Sequence, residues 1–270
     1  MTSNEILDYY SAGQEEHRLS SSLGRLERLR TWEMLQRFLP ATPARVLDVG
    51  GGTGVYALPL AAAGYEVDLV DPVPLHVSRA ETLSRDAAAP LRSATCGDAR
   101  QLAFDDGTFA AVVMLGPMYH LVDAEARTRA LTEASRVLLP GGVLIAAYIS
   151  RFASMSDGFK RETLLDPSFA AIVDSDLTTG QHRNPTERPD WFTTAYFHRP
   201  DEIVPELERG GFEPLTVLAV EGPAWLIPNV DTWLDEPSTR QQLMDLLRRV
   251  EEEPSMLGAS AHLLAVGRKG

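Results

Sequence analysis

The chain is poor in cysteine and lysine. Cys96 is the single thiol in 270 residues, so no intrachain disulfide can form and a cytoplasmic setting is expected. Lysine occurs only at Lys160 and Lys269, and neither follows a glycine-rich loop, which excludes a P-loop. No apolar run reaches the roughly 18 residues of a membrane span. The opening stretch, MTSNEILDYYSAGQEEHR, has no basic segment followed by an apolar one, so neither a membrane span nor a secretory signal is expected. The six histidines show no H-E-x-x-H or Cys-His spacing and there is no G-x-S-x-G elbow. The expectation is therefore no metal centre and no serine nucleophile. Basic clusters are also lacking. The formal net charge is −13, and the nearest thing to a patch, Arg25, Arg28, Arg30 and Arg37, is interleaved with Glu27 and Glu33. That spacing reads as a solvated helix face, and a phosphate backbone would be repelled.

What the chain does have is an apolar content of 44%, enough for a sizeable core, and an alternation of strand and helix signals. Residues 15–39 carry Leu19, Leu23, Leu26, Leu29, Leu35 and Phe38 at helical spacing, as one amphipathic helix or a pair, until Pro40 and Pro43. From Arg45 onward the order becomes strand (45–49), glycine turn (50–54), helix (55–63), strand (66–70), helix (75–86) and strand (91–95). An almost wholly apolar strand (109–115), a helix (123–138) stopped by Pro140-Gly141-Gly142, and a strand (143–149) follow. Repeated βα units of this length predict a parallel sheet with helices on both faces. Residues 151–190 are polar and interrupted by Gly158, Pro167, Gly180, Pro185 and Pro189, the texture of a lid or an irregular loop. Residues 191–197 suit a short strand. A helix over 201–209, starting late or kinked because of Pro205, a strand at 212–221, a helix at 238–253 and a strand at 261–267 complete the pattern.

The most informative segment is VLDVGGGTGVY, Val46 to Tyr56. Gly50, Gly52 and Gly54 permit a sharp strand-to-helix turn and close approach of backbone to a ligand. In a doubly wound sheet this turn lies where ligands bind. Three acids accompany it at successive strand ends: Asp48, Asp71 in DLVDPVP, and Asp98 in CGDAR. A carboxylate at Asp71 can accept both hydroxyls of a ribose, and one at Asp98 can accept from an adenine amino group. A dinucleotide loop, G-x-G-x-x-G, would need glycine where Val55 stands.

VLDVGGGTG resembles the first motif of the class I S-adenosylmethionine (SAM)-dependent methyltransferases, D/E-x-G-x-G-x-G. DLVDPVP, CGDARQL and LLPGGVLI resemble their following segments, in the family's order, between residues 46 and 146. The resemblance implies a Rossmann-like, doubly wound, seven-stranded and mostly parallel α/β sheet with an antiparallel last strand, N-terminal helices and an inserted cap. It implies SAM as cofactor and S-adenosylhomocysteine (SAH) as product. Asp71 and Pro72 would lie at the ribose, Asp98 and Ala99 at the adenine, and Asp48, Gly50, Gly52, Gly54 and Leu115 along the donor. In many small-molecule members of this family an N-terminal aromatic helix closes over the cofactor. The stretch DYYSAGQEEHRL makes Tyr9, Tyr10 and Arg18 the candidates, with Arg18 pairing the methionyl carboxylate.

The division expected is an N-terminal helical lid (1–43), a SAM-binding core (44–150), an inserted cap (151–200) and a completion of the sheet (201–270). The loop LGPMYHL, 115–121, stands where nitrogen-methylating members carry N/D-P-P-Y/F, and it lacks that motif. Tyr119 and His120 are the candidate acceptor-side catalytic groups, since an imidazole can take a proton near neutrality. The alternative has Tyr119 packing the cofactor and His120 capping the next helix. His182, Arg183, Tyr196, His198 and Trp225, with Tyr119, are candidate substrate contacts. The chain resembles bacterial small-molecule methyltransferases. The expected reaction is methyl transfer to an O or N atom of a small molecule, with no nucleic-acid or membrane partner. Retained SAM binding without catalysis, and SAM chemistry such as cyclisation, are the rival readings.

Overall fold

A computed structural model describes residues 4–11, 22–186 and 188–270. Seven strands form one sheet: β1 (Arg45–Val49), β2 (Glu66–Asp71), β3 (Ser93–Cys96), β4 (Phe109–Met114), β5 (Leu138–Ile149), β8 (Phe212–Ala219) and β9 (His262–Lys269). Their spatial order is β3-β2-β1-β4-β5-β9-β8. β1 to β5 pair in parallel, and β9 runs antiparallel to both β5 and β8. The winding reverses direction between β1 and β4, which opens a crevice at their carboxyl ends. Strands β6 (Gln181–His182) and β7 (Ala195–Tyr196) form a separate two-stranded ribbon.

The sheet is buried on both faces because its residues alternate. Val46, Val67, Leu69, Ala111, Val113, Ile145, Leu264 and Val266 join one core with Met34 and Leu35 of the helix Ser22–Phe38. Their neighbours Leu47, Val70, Val112, Met114, Leu144, Ala146, Leu263 and Ala265 join the other. That second core packs on the helices Ala124–Val137 and Pro200–Arg209. Successive side chains point to opposite faces of a strand, so only strands apolar at nearly every position can serve two cores. Among the described residues no helix is long and apolar enough to cross a membrane.

Several expectations need correction. Residues 151–190 are helical in the main: Ala153–Lys160, a short turn at Thr163–Leu165, and Pro167–Thr179. The last of these has ordinary boundary chemistry. Asp166 caps it by accepting from the Ser168 N–H at 2.8 Å, Pro167 fills its first turn, and Gly180 ends it at φ 76°. Its stripe of Phe169, Ile172 and Val173 packs on Trp191. Of residues 191–197 only Ala195–Tyr196 is strand, because Phe192 sits at φ 66°. Pro205 neither delays nor breaks its helix, which begins at Pro200. The Pro-Gly-Gly turn after Val137 lies inside β5, as an outward loop between Leu138, paired with Phe109, and Val143, paired with Ala111.

The helix Ser22–Phe38 does not present all its arginines to solvent. Arg30 is fully buried. It donates to the Val220 carbonyl at 3.1 Å and to Glu33 at 2.6 Å, and pairs with the buried Glu251, which Arg37 also contacts at 2.6 Å. Of the two interleaved glutamates that suggest a solvated face, Glu33 is this arginine's partner.

Candidate functional site

A cavity fills the crevice at the ends of β1 and β4, and the glycine loop forms its floor. Gly50 donates to the Val70 carbonyl at 2.7 Å, turning the chain out of β1. Gly50, Gly52 and Gly54 have φ of 73°, 57° and 91°, the region that glycine adopts without strain. A Cβ on Gly50 would lie 2.8 Å from Pro117 Cδ, so the loop and the segment after β4 approach closely only because it is absent. Nothing lies within 4 Å of a Cβ position on Gly52, which faces open cavity. Gly54 does not line the cavity and instead packs on Leu58.

The three acids have three different environments. Asp48 is 1% exposed, and its Oδ2 has no hydrogen-bond partner among the described residues. Burial, with the nearby Asp71 charge, pushes its carboxyl up to about 7. Asp71 accepts from the Gly52 and Val73 N–H groups, both at 2.9 Å, and lies 3.2 Å from His76 Nδ1. These contacts fix its plane at the cavity edge. Asp98 accepts from the Arg100 backbone N–H at 2.9 Å and from its guanidinium, which holds the carboxyl below its ordinary range. All three line the cavity, together with Gly50, Gly52, Pro72, Ala99, Leu115 and Tyr10. Arg18 lies outside the described residues.

Tyr119 and His120 also line it, but both are engaged by neighbours. Tyr119 donates its hydroxyl to the Leu115 carbonyl at 2.9 Å. His120 Nδ1 lies 3.4 Å from the Thr194 carbonyl and Nε2 lies 2.5 Å from the Tyr10 hydroxyl. A carbonyl only accepts, so Nδ1 carries the proton and Nε2 accepts from Tyr10. Burial pushes the imidazole down to about 4. This geometry disfavours His120 as a proton acceptor from substrate. Nor does it cap the next helix, which Asp123 does by accepting from the Ala126 N–H at 3.0 Å.

A second cavity adjoins the first. It lies between the cap helices, the N-terminal segments and β9, and includes Tyr119, His182 and Trp225 among its walls. The remaining substrate candidates do not reach either cavity. Arg183 is exposed and contacts Thr194. Tyr196 packs on the Arg127 guanidinium at 4.1 Å and contacts Glu202 at 3.2 Å. His198 is fully buried and holds Glu206 at 3.1 Å. Even His182 is a structural bridge, between Asp176 at 2.9 Å and the Trp191 carbonyl at 2.9 Å.

Sequence reasoning missed His76, Glu27, Phe192, Glu221 and His262. Glu27, Glu221 and His262 gather ligand atoms within 4.8 Å of one another, from the first long helix, the end of β8 and the start of β9. Glu221 is held low by its His262 partner despite its burial, so it is ionised and accepts from His262 Nδ1 at 2.5 Å. No local spacing could have signalled a group drawn from such distant segments.

Residues 46–142 match the family model described as a methyltransferase domain. An uncharacterised methyltransferase of Mycobacterium tuberculosis is 39% identical over 129 residues, 46% of this chain and 49% of that protein. The bovine protein named probable tRNA methyltransferase 9B is 28% identical over 159 residues, 55% of this chain and 31% of that protein. The chain thus spans about half or less of the length of these curated relatives. Among solved structures, a Thermotoga maritima SAM-dependent methyltransferase superposes with a TM-score of 0.59 at 20% identity, covering 98% of this chain and 99% of that one. The glycine floor, the acids at successive strand ends and the sheet order agree with these likenesses: residues 46–142 are similar to a methyltransferase domain, and the fold is that of the SAM-dependent methyltransferase on which the chain superposes.

Proposed function

We propose that the protein transfers a methyl group from SAM to an O or N atom of a small molecule. The observation that carries this reading is the pair of adjoining cavities. One is floored by the glycine loop and three acids, and the other is lined by aromatic side chains of the cap. SAM supplies a methyl group on a cationic sulfur. The chain's residues supply the rest. Asp71, fixed by three protein contacts, accepts the ribose hydroxyls beside Pro72. Asp98 and Ala99 border the adenine. Gly50, Gly52 and Leu115 border the methionyl part, and Tyr10 closes over it. The unpartnered, buried Asp48 oxygen suits a ligand carrying positive charge. In this reading residues 1–43 form the lid, 44–150 the donor core, 151–200 the cap and 201–270 the remainder of the sheet.

Alignment and exclusion of water account for most of what such a transfer requires. The net charge of −13 argues against a polyanionic acceptor, although one relative is named for tRNA. Calorimetry with SAM and SAH tests the reading. Saturable binding of both is expected, and no binding of either at millimolar concentration would sink it. Incubating SAM alone and with a metabolite extract then separates the rivals. SAM consumed without acceptor indicates other chemistry, and SAM bound but never turned over indicates a binding protein.

A further inference from the structure

Asp71 has less room for a ligand than its place at the cavity suggests. An ionised carboxylate offers about four lone-pair sites, two on each oxygen. Oδ1 accepts from the Val73 N–H at 2.9 Å and lies 3.2 Å from His76 Nδ1. Oδ2 accepts from the Gly52 N–H at 2.9 Å. Protein donors thus fill Oδ1 and half of Oδ2. A ribose brings two neighbouring hydroxyls. One can donate to Oδ2, and the other needs a different acceptor.

His76 supplies one. It stands in the first turn of the helix Pro74–Asp86, where the chain turns back from β2 and sets the imidazole against Asp71. The residue is 8% exposed and lines the same cavity as the acid. A carboxylate only accepts, so Nδ1 carries the ring proton toward Asp71 and Nε2 keeps its lone pair. Nε2 has no hydrogen-bond partner among the described residues, and protein does not seal it from the cavity. The Tyr10 ring packs edge-to-face on the imidazole at 5.8 Å between centroids, which holds it from a second side. The neighbouring candidates are committed elsewhere. His120 spends Nε2 on the Tyr10 hydroxyl, and Arg100 engages both oxygens of Asp98.

We propose that two side chains hold the ribose of the donor, one hydroxyl donating to Asp71 Oδ2 and the other to His76 Nε2. Asp71 then acts twice, as a direct acceptor and as the group that fixes the histidine tautomer. This rests on the methyl-transfer reading and deepens its donor site, and it departs from the expectation that Asp71 alone takes both hydroxyls. It also makes His76 a specificity residue. A ligand lacking the matching hydroxyl leaves a largely buried acceptor unpaired, and the site rejects it for that reason.

Calorimetry with SAH and its 2′-deoxy and 3′-deoxy analogues tests this. The wild type should bind both analogues more weakly than SAH. One should lose about 10- to 100-fold, as for a bond to a charged group, and the other about 3- to 10-fold. In His76→Phe the smaller penalty should vanish and the larger remain. In His76→Gln, whose amide can donate to Asp71 and present an oxygen, part of the smaller penalty should return. In Asp71→Asn both penalties should shrink, because the tautomer of His76 is no longer fixed. Each penalty is a ratio within one protein, so a general loss of affinity does not mimic the result. Independently of any variant, the His76 Nε2 resonance of the wild type should shift on adding SAH, and shift less with the analogue of smaller penalty. Either analogue binding the wild type as tightly as SAH, a smaller penalty unchanged in His76→Phe, or an Nε2 resonance that responds equally to SAH and both analogues would each overturn the inference. Failure of the wild type to bind SAM or SAH would instead overturn the methyl-transfer reading itself.

Discussion

The glycine-floored cavity and the cavity beside it are built by different means. The first is made largely of strand ends, a glycine loop and short segments that each lie within a few residues of the end of β1, β2, β3 or β4. The second is made of side chains from the helix Asn4–Ser11, the helix Ser22–Phe38, the cap and the start of β9. What holds these distant segments in place is a set of buried ion pairs and hydrogen bonds. A backbone-built site should tolerate changes far from it, whereas an assembled site should depend on its ties.

The tie expected to matter most is Arg30. It joins the helix Ser22–Phe38 to Val220 and Glu251, and so holds Glu27 near Glu221 and His262. Arg30→Ala leaves a buried Glu251 with one partner fewer and should cost about 3–5 kcal/mol in urea unfolding. A loss below about 0.5 kcal/mol would show that the side-chain assembly is not held there.

Next in size is the loss of Asp71. Asp71→Ala should weaken SAH binding by about 10²-fold, as expected for two hydrogen bonds to a charged group. Asp71→Asn, which keeps an acceptor for the Gly52 or Val73 N–H groups, should bind better than alanine. Equal affinities in all three proteins by calorimetry would remove Asp71 from the donor site.

Asp176→Ala probes the comparison from the other side. It removes a partner of His182 inside the cap and should cost about 1–3 kcal/mol locally. Amide exchange should quicken over 167–196, while SAH affinity stays within about threefold of wild type. A larger fall in SAH affinity would mean that the two cavities are not separately supported.

This contrast also explains what was legible in the sequence. Glycines and acids at strand ends act within one turn of where they stand, so their spacing displayed the first cavity's lining and the sheet around it. The cap helix Pro167–Thr179 was legible in principle, since Asp166-Pro167 and Gly180 mark its ends, but its scattered prolines and glycines read as loop. Arg30 read as surface because its partner Glu251 lies 221 residues away. His262 and Glu221 were unreadable for the same reason, as their meaning arises only when β8 and β9 pair. His198 looked like a substrate contact and is instead the partner of Glu206, also in contact with Arg127.

The smallest predicted effect is a pair of opposed slopes in stability against pH, one from each kind of wall. Asp48 stands on β1 in the backbone-built wall, and burial beside Asp71 raises it to about 7 from 3.8. Between those values the folded state holds a proton that the unfolded state has lost, so stability from this group declines as pH rises through 7. His120 is tied to Tyr10 and Thr194, on the N-terminal helix and the cap, and burial lowers it to about 4 from 6.5. Between those values the unfolded state holds the extra proton, so stability from this group declines as pH falls toward 4. The two slopes offset each other between pH 4 and pH 6.5 in the wild type. Asp48→Asn should uncover the histidine, and stability should then rise with pH across that interval. His120→Gln should uncover the aspartate, and the slope of stability against pH should become more negative than in the wild type. Each slope is bounded by about 1.4 kcal/mol per pH unit for a single proton. Urea melts at pH 4.5, 5.5 and 6.5 read both signs. Changes of the same sign from the wild-type slope in the two variants would mean that Asp48 and His120 do not hold opposed protonation in one cavity, and that the wall and its cover are not distinct in the way proposed.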